Sequence, residues 1–308
     1  MAATHLDLNS YRTTIALDQP FRPSAQPVGP QQQEEAARTA LAGLLRERAT
    51  DDLGMTPDSA ASLTGEQTRR ALRAVLNVRG PGPRPEGVDE ALDALLGGER
   101  ETRDIADAAG LATIAETYPS TGYAAAGSTV LWQGDIITLS ADAVVNAANS
   151  QMLGCFLPLH ACIDNALHSA AGPRLRDDCA TIMALQGRAE RTGDAKITRG
   201  YQLPARNVLH TVGPVVSGAL TAGHERLLAQ AYRSCLEVAA ERGDVRSVAF
   251  CSISTGVFGF PKLPAARIAL ATVSDWMAAH PVRLDRVVFN VWSEADLAVY
   301  VQALTEER

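Results

Sequence analysis

Cys155, His160 and Cys162 fall within eight consecutive residues, and Asp164 stands two positions further on, in the run 152–179, MLGCFLPLHACIDNALHSAAGPRLRDDC. Two thiolates and one imidazole form a donor set that suits Zn²⁺. Three protein ligands rather than four leave a coordination position for water or substrate, the arrangement of catalytic rather than structural zinc. The competing reading is a packed core, because free cysteines often serve as small buried hydrophobes and C-x4-H-x-C is not a common finger spacing. A structural Cys3His site that recruits Cys179 is the alternative metal reading. His168 lies four residues after Asp164 on a predicted helix and shares its face; it reads as a core or positioning histidine rather than a fourth ligand. His210, inside VLHTVGP, reads as core.

Asp164 opens that helix, so the positive end of the helix dipole favours its ionised form and prepares it to accept a proton. A helix N-cap is the other role an aspartate fills at such a position. Two thiolates neutralise the charge of zinc, so the ion should be a weaker Lewis acid toward water than one held by three neutral imidazoles, and should act chiefly to orient.

The elements that must position these groups change in character near residue 120. Segments 34–48, 65–78 and 88–109 are rich in Ala, Leu, Glu and Arg with apolar residues at helical spacing, and Thr64 with Gln67 has the form of a capping box. Gly80, Pro81, Gly82, Pro83 and Pro85 must separate two of these helices. After Ser128, β-branched apolar runs alternate with helical stretches, the pattern of an α/β sheet with helices on both faces. The expected division is a small all-helical part over 1–119 and an α/β domain over 120–308.

Composition narrows the setting. The chain has 308 residues, a formal net charge of −7 and five cysteines. An odd number of scattered cysteines is no disulfide framework, and thiols free for metal fit a reducing, cytoplasmic compartment. The N-terminus lacks the basic start and apolar core of a secretory signal, and no stretch approaches the roughly 20 apolar residues of a membrane span. Without a run of Lys or Arg, no stripe is available to track nucleic-acid phosphates.

Two further segments carry chemistry. Asp135, just past a predicted strand in GDI, can accept from the exocyclic amine of adenine while Ile136 covers the base; a simple turn is the alternative. Ser254, Thr255, Gly256, Val257, Phe258 and Gly259 lie between a strand and a helix, where main-chain N–H groups can approach a diphosphate. Phe258 offers shape to a ribose but no proton. Asn290, after the last apolar strand, either lines the adenine edge or satisfies a strand end. Asn146 and Asn149 flank two alanines; Asn146 reads as holding its loop through turn backbone groups.

GDI at 134–136, VVNAAN at 144–149, ITRGYQLPARNVLHTVGP at 197–214 and SISTGVFGFP at 252–261 follow the order and spacing of macrodomains, the modules that bind ADP-ribose. Where hydrolytic macrodomains carry a glycine-rich loop after the second motif, this chain has CFLPLHAC followed by IDNALHSAAG. In that it resembles the zinc-dependent macrodomains, microbial enzymes that remove ADP-ribose from modified proteins and carry a helical N-terminal extension. The resemblance covers residues 120–308 closely and the first ~120 in general character.

It implies a three-layer α/β fold with a mixed central sheet, Asn149 on the distal ribose, a mono-ADP-ribosylated protein as substrate, and a lipoyl-carrier protein as its natural form. Zinc would hold a hydroxyl of the distal ribose or the attacking water, with Asp164 as base or as stabiliser of oxocarbenium-like charge. A non-catalytic ADP-ribose reader and an O-acyl-ADP-ribose deacylase are the alternatives. The helical part should pack against the α/β domain and shape the rim of the site.

Overall fold

The computed structural model describes residues 6–47 and 54–306. Helices α1 (Pro30–Leu44), α2 (Pro57–Ala61), α3 (Gly65–Val78) and α4 (Val88–Thr102) build the helical part. The first predicted helix is α1; its expected last residue, Arg48, lies outside the described residues. Thr64 and Gln67 cap α3 reciprocally, side chain to main chain in both directions. Its buried stripe of Ala71, Leu72, Val75 and Leu76 sits at helical spacing. The Gly–Pro cluster does separate α3 from α4. The third predicted helix overshoots: α4 stops at Thr102, where Arg103 turns extended, and a short strand β1 (Ala106–Asp107) follows.

After the one-turn helix α5 (Ile114–Thr117), strands and helices alternate: β2 (Thr129–Gln133), β3 (Leu139–Ser140), β4 (Ala143–Ala148), α6 (Ile163–Ala171), α7 (Arg174–Gln186), β5 (Ala195–Arg199), β6 (Asn207–Val212), α8 (Ala222–Arg242), β7 (Ser247–Phe250), α9 (Lys262–Ala279), β8 (Arg286–Val291) and α10 (Glu294–Thr305). The main sheet runs β2-β8-β7-β4-β6-β5. Every pairing is parallel except β5 with β6, so the sheet is mixed, as expected. Parallel strands buried on both faces read as unbroken apolar runs, and Val144, Val145, Val248, Ala249, Val287, Val288 and Phe289 are all inaccessible to solvent. Helices flank the sheet. None among the described residues is long and apolar enough to cross a membrane.

Parallel order has a functional consequence. The carboxyl ends of β2, β8, β7 and β4 lie along one edge, where open α/β sheets bind ligands. Those ends lead into Asp135, Trp292, the 252–258 loop and Asn149.

Packing does not divide the chain at a single point near residue 119. A small core takes its buried residues from Ala37 to Leu95, whereas Leu8, Tyr11, Ile15 and Leu17 join the large core beneath the sheet. The Tyr11 hydroxyl accepts from the Ile197 N–H of β5 at 2.9 Å, so the N-terminal segment seals an edge of the α/β unit.

The helical part docks directly on the loop that carries the cysteines. The Asn77 side chain of α3 donates to Ser169 Oγ on α6 (3.1 Å) and accepts from Leu159 N–H (2.9 Å). Arg176 of α7 gathers the same region: its guanidinium donates to the Leu153 carbonyl (2.7 Å), to Leu76 O (2.7 Å) and to the Arg79 and Asn77 carbonyls, and lies over the Phe156 ring at 4.8 Å. Removing it strands several buried carbonyls, each costing about 1–3 kcal/mol. Arg176→Ala is therefore expected to lose at least about 3 kcal/mol in denaturant unfolding. Arg176→Lys should recover little, since an ammonium lacks the planar fork.

Candidate active site

A cleft of about 720 Å³ opens along the strand ends, lined by Asp135, Ile136, Asn149, Cys155, His160, Cys162, Asp164, Ser254, Thr255, Gly256, Val257, Phe258 and Asn290. Asn149 and Asn290, 141 residues apart in sequence, thus meet in one cleft. The expected site residues missing from the lining are Asn146 and Gly259.

The cysteine loop, 149–162, is wound tightly. Met152, Phe156 and Leu159 have left-handed backbone with φ of 59°, 51° and 56°, a conformation costly for side-chain-bearing residues and held only by its surroundings. The surroundings are identifiable. Asn149 Nδ2 donates to Gly154 O and its Oδ1 accepts from Gln151 N–H, both at 2.9 Å. Buried Asn165 donates to the carbonyls of Leu157 (2.9 Å) and His160 (3.2 Å).

The result brings Cys155 Sγ to 3.6 Å from His160 Nδ1, with the Cys155, His160 and Cys162 donor atoms all within 4.8 Å of one another. Tetrahedral zinc with ordinary bond lengths sets sulfur and nitrogen ligands about 3.6 Å apart. Donor set and spacing therefore fit a zinc ion. Burial pushes the Cys162 thiol up to about 11, with the neighbouring Cys155 adding to it, so this thiol needs a cation to become the thiolate a metal requires.

Cys162 is also the N-cap of α6, its sulfur accepting from Asn165 N–H at 3.4 Å. Asp164 is thereby released from the capping role. The residue is 4% exposed, and its carboxyl accepts from Asn146 Nδ2 at 2.8 Å and lies 3.5 Å from His168 Nε2. Burial raises it to about 6, against the opposing pull of the Asn146 hydrogen bond and Arg176. A carboxyl tuned upward stays ionised at neutral pH yet is a stronger base than an exposed one.

The loop-holding part expected of Asn146 falls to Asn149, which also lines the cleft. Asn149 ties down the loop, while Asn146 is wholly buried and stands behind Asp164 rather than in the cleft. Asn146 sits inside β4, not in the turn after it, and its register partner on β6 is His210. Its amide meets His210 Nδ1 at 3.2 Å, and His210 Nε2 meets Thr198 Oγ1 at 2.9 Å. Burial lowers His210 to about 3 and also holds His168 below its ordinary value, so both rings are neutral. Cys179 Sγ lies 3.7 Å from His210 Nε2. His168, Cys179 and His210 form a second, fully buried group apart from the first, so Cys179 does not extend the cysteine loop's trio into a Cys3His site.

At the other end, Asp135 accepts from Ile137 N–H through Oδ1 at 3.1 Å, and Asn290 donates to Gly134 O at 2.8 Å, fixing the turn between them. Asn290 both lines the cleft and satisfies a strand end. Between the two ends, Ser254 is left-handed with φ 66°. Gly213 accommodates it, for a Cβ there would lie 2.0 Å from Ser254 Oγ. The main-chain N–H groups of Gly256, Val257 and Phe258 have no acceptor among the described residues, which leaves an anion cradle open to the cleft. Gly259 turns the loop away, its N–H donating to Gly256 O. Trp292 and Val257, 71% and 75% exposed, stand at the mouth.

The helical part shapes the rim, as its sequence suggests, through residues that its sequence does not single out. Arg69 and Arg73 of α3 and Arg103 after α4 line the same cleft. The polar face of an amphipathic helix normally faces water, and only the docking of α3 on α6 shows otherwise.

An α/β fold whose strand ends carry a loop of free main-chain N–H groups, an aspartate and a buried acid around one cleft has the architecture of a macrodomain. The Macro domain family model matches residues 145–269. A protein-ADP-ribose hydrolase of Treponema medium is 48% identical over 235 residues, 76% of this chain and 87% of that protein. The protein-ADP-ribose hydrolase of Staphylococcus aureus strain MSSA476 is 49% identical over 178 residues, 58% of this chain and 66% of that protein. The Trypanosoma brucei macrodomain in complex with ADP-ribose matches with TM-score 0.55 and 30% identity, over 86% of this chain and 94% of that one. The chain belongs to the macro domain family.

Proposed function

We propose that the protein hydrolyses mono-ADP-ribose from modified proteins, with zinc held by Cys155, His160 and Cys162. The observation that carries this reading is the placement of Asp164: a buried carboxyl, raised by its surroundings, that faces the nucleotide cleft beside the thiol–imidazole trio. A module that only bound ADP-ribose would need neither. The naming of the Treponema and Staphylococcus relatives as protein-ADP-ribose hydrolases supports the same choice.

In this reading Asp135 accepts the adenine amine through its unoccupied oxygen, and the N–H groups of 256–258 bind the diphosphate. Phe258 packs against the distal ribose. Asn149, with one N–H left after holding the loop, reaches a ribose hydroxyl. Asp164 takes the proton of the attacking water or steadies positive charge on the anomeric carbon, held in place by Asn146. Bound zinc would orient a ribose hydroxyl or that water as a modest Lewis acid. The leaving group is the modified side chain, and a lipoyl-carrier protein is the substrate to try first, on the strength of the family resemblance.

Incubation with a mono-ADP-ribosylated protein, with release of free ADP-ribose measured beside ADP-ribose affinity, tests the reading. Binding without release makes the protein a reader. Turnover of O-acyl-ADP-ribose with none of the protein substrate makes it a deacylase. Asp135→Ala is expected to weaken ADP-ribose binding by roughly 1–3 kcal/mol, the cost of an unmade hydrogen bond to a charged group; calorimetry on the folded variant measures it, and unchanged affinity would place adenine elsewhere.

A further inference from the structure

We propose that the helical part completes the adenosine end of the cleft, with Arg73 as its nucleotide-binding residue: the guanidinium donates from Nε to an acceptor nitrogen of the adenine ring. This rests on the ADP-ribose reading above.

Arg73 lines the cleft. Its Nε is buried without a hydrogen-bond partner, and among the described residues the side chain makes no ion pair. Buried donors in native proteins are satisfied, and each exception needs a reason; here the reason is a ligand.

Geometry sets which end of the ligand it meets. Arg73 precedes Asn77 by four residues on α3 and so shares its face, and Asn77 is bonded to Ser169 of α6. The α6 residues Ala166 and Ala170, small enough to leave room, line the cleft as well. One turn earlier on α3, Arg69 pairs with Glu99 (Nη2–Oε2 2.9 Å), which also lies 3.6 Å from Arg103. Arg103 in turn interacts electrostatically with Asp135. Arg69 and Arg103 therefore flank the Asp135 end, and Arg73 stands one turn further along α3, between that end and Asn77, which holds the cysteine loop at Leu159. Arg69 and Arg103 share Glu99; Arg73 alone is left over.

Adenine offers one exocyclic donor and several ring acceptors. Asp135, an acceptor, meets only the donor. An arginine supplies the complement, and its planar guanidinium also stacks on a purine face, which an ammonium does not.

The test divides the nucleotide between its ends, using the full-length protein and titrating ADP-ribose, AMP and ribose 5-phosphate. Arg73→Ala is expected to weaken ADP-ribose and AMP about tenfold or more, with ribose 5-phosphate unchanged. Arg73→Lys should recover only part of the loss and keeps the test informative if the alanine variant folds poorly. AMP affinity within twofold of wild type, or equal losses for AMP and ribose 5-phosphate, would overturn the assignment while leaving the hydrolase reading intact. A wild-type protein that bound no ADP-ribose would remove both.

Discussion

Asp164→Asn is expected to fold, retain zinc, bind ADP-ribose and lose on the order of 10²-fold or more in hydrolysis, the scale for removing a general base. The substitution is clean for a structural reason. Cys162, not Asp164, caps α6, and an asparagine Oδ1 can still accept from Asn146 Nδ2, so neither helix nor buried network is broken. Hydrolysis within a few-fold of wild type would leave the carboxyl without a role in the reaction.

The same variant carries a stability signature. Burial raises Asp164 from 3.8 to about 6, so its contribution to stability is fully present below pH 3.8 and is lost as pH rises through about 6. At about pH 8 the ionised buried carboxyl therefore costs about 3 kcal/mol, from a shift of about two units. In chelator-treated protein, Asp164→Asn should unfold at higher denaturant than wild type at that pH and show no gain near pH 3.5. A group that opposes stability where the protein works is the expected mark of a functional carboxylate. Equal midpoints at both pH values would mean that the carboxyl is better solvated than its burial implies.

Cys155→Ala and Cys162→Ala are each expected to lose most bound zinc, whereas Cys179→Ala keeps it, because Cys179 belongs to the separate buried group with His168 and His210. Elemental analysis reads the outcome directly. With two ligands left, one an imidazole and one a thiol, the site falls below the three protein ligands that catalytic zinc uses. Retention in the wild type should also weaken as pH falls, since thiolates and imidazole regain protons in competition with the metal. Full occupancy in both cysteine variants would mean that the ion sits elsewhere, and loss in Cys179→Ala would point to the buried group.

The strand-end motifs and the cysteine loop were legible because each lies in one short run, and because parallel strands bring their carboxyl ends together whatever lies between. Asn146 reads from sequence as a turn residue, a task that Asn149 performs, because apolar patterning does not place the end of β4 to within three residues. One position inside the strand puts Asn146 opposite His210 and behind the acid, not in the turn. Arg69, Arg73 and Arg176 were invisible for a different reason. Their partners lie across tertiary contacts, such as Arg176 with the Leu76 and Asn77 carbonyls, and a charged residue on a helix reads as solvated until the neighbouring helix is placed. Leu8, Tyr11, Ile15 and Leu17 likewise precede the helical part in sequence yet belong to the large core. Sequence order alone gives no sign of that.

Zinc content and turnover of a mono-ADP-ribosylated protein, measured on one preparation of the full-length chain before and after chelation, bear most directly on the proposed chemistry. The expected result is about one zinc per chain, loss of ADP-ribose release with the metal, and recovery when zinc is returned. Undiminished release from metal-free protein would contradict it.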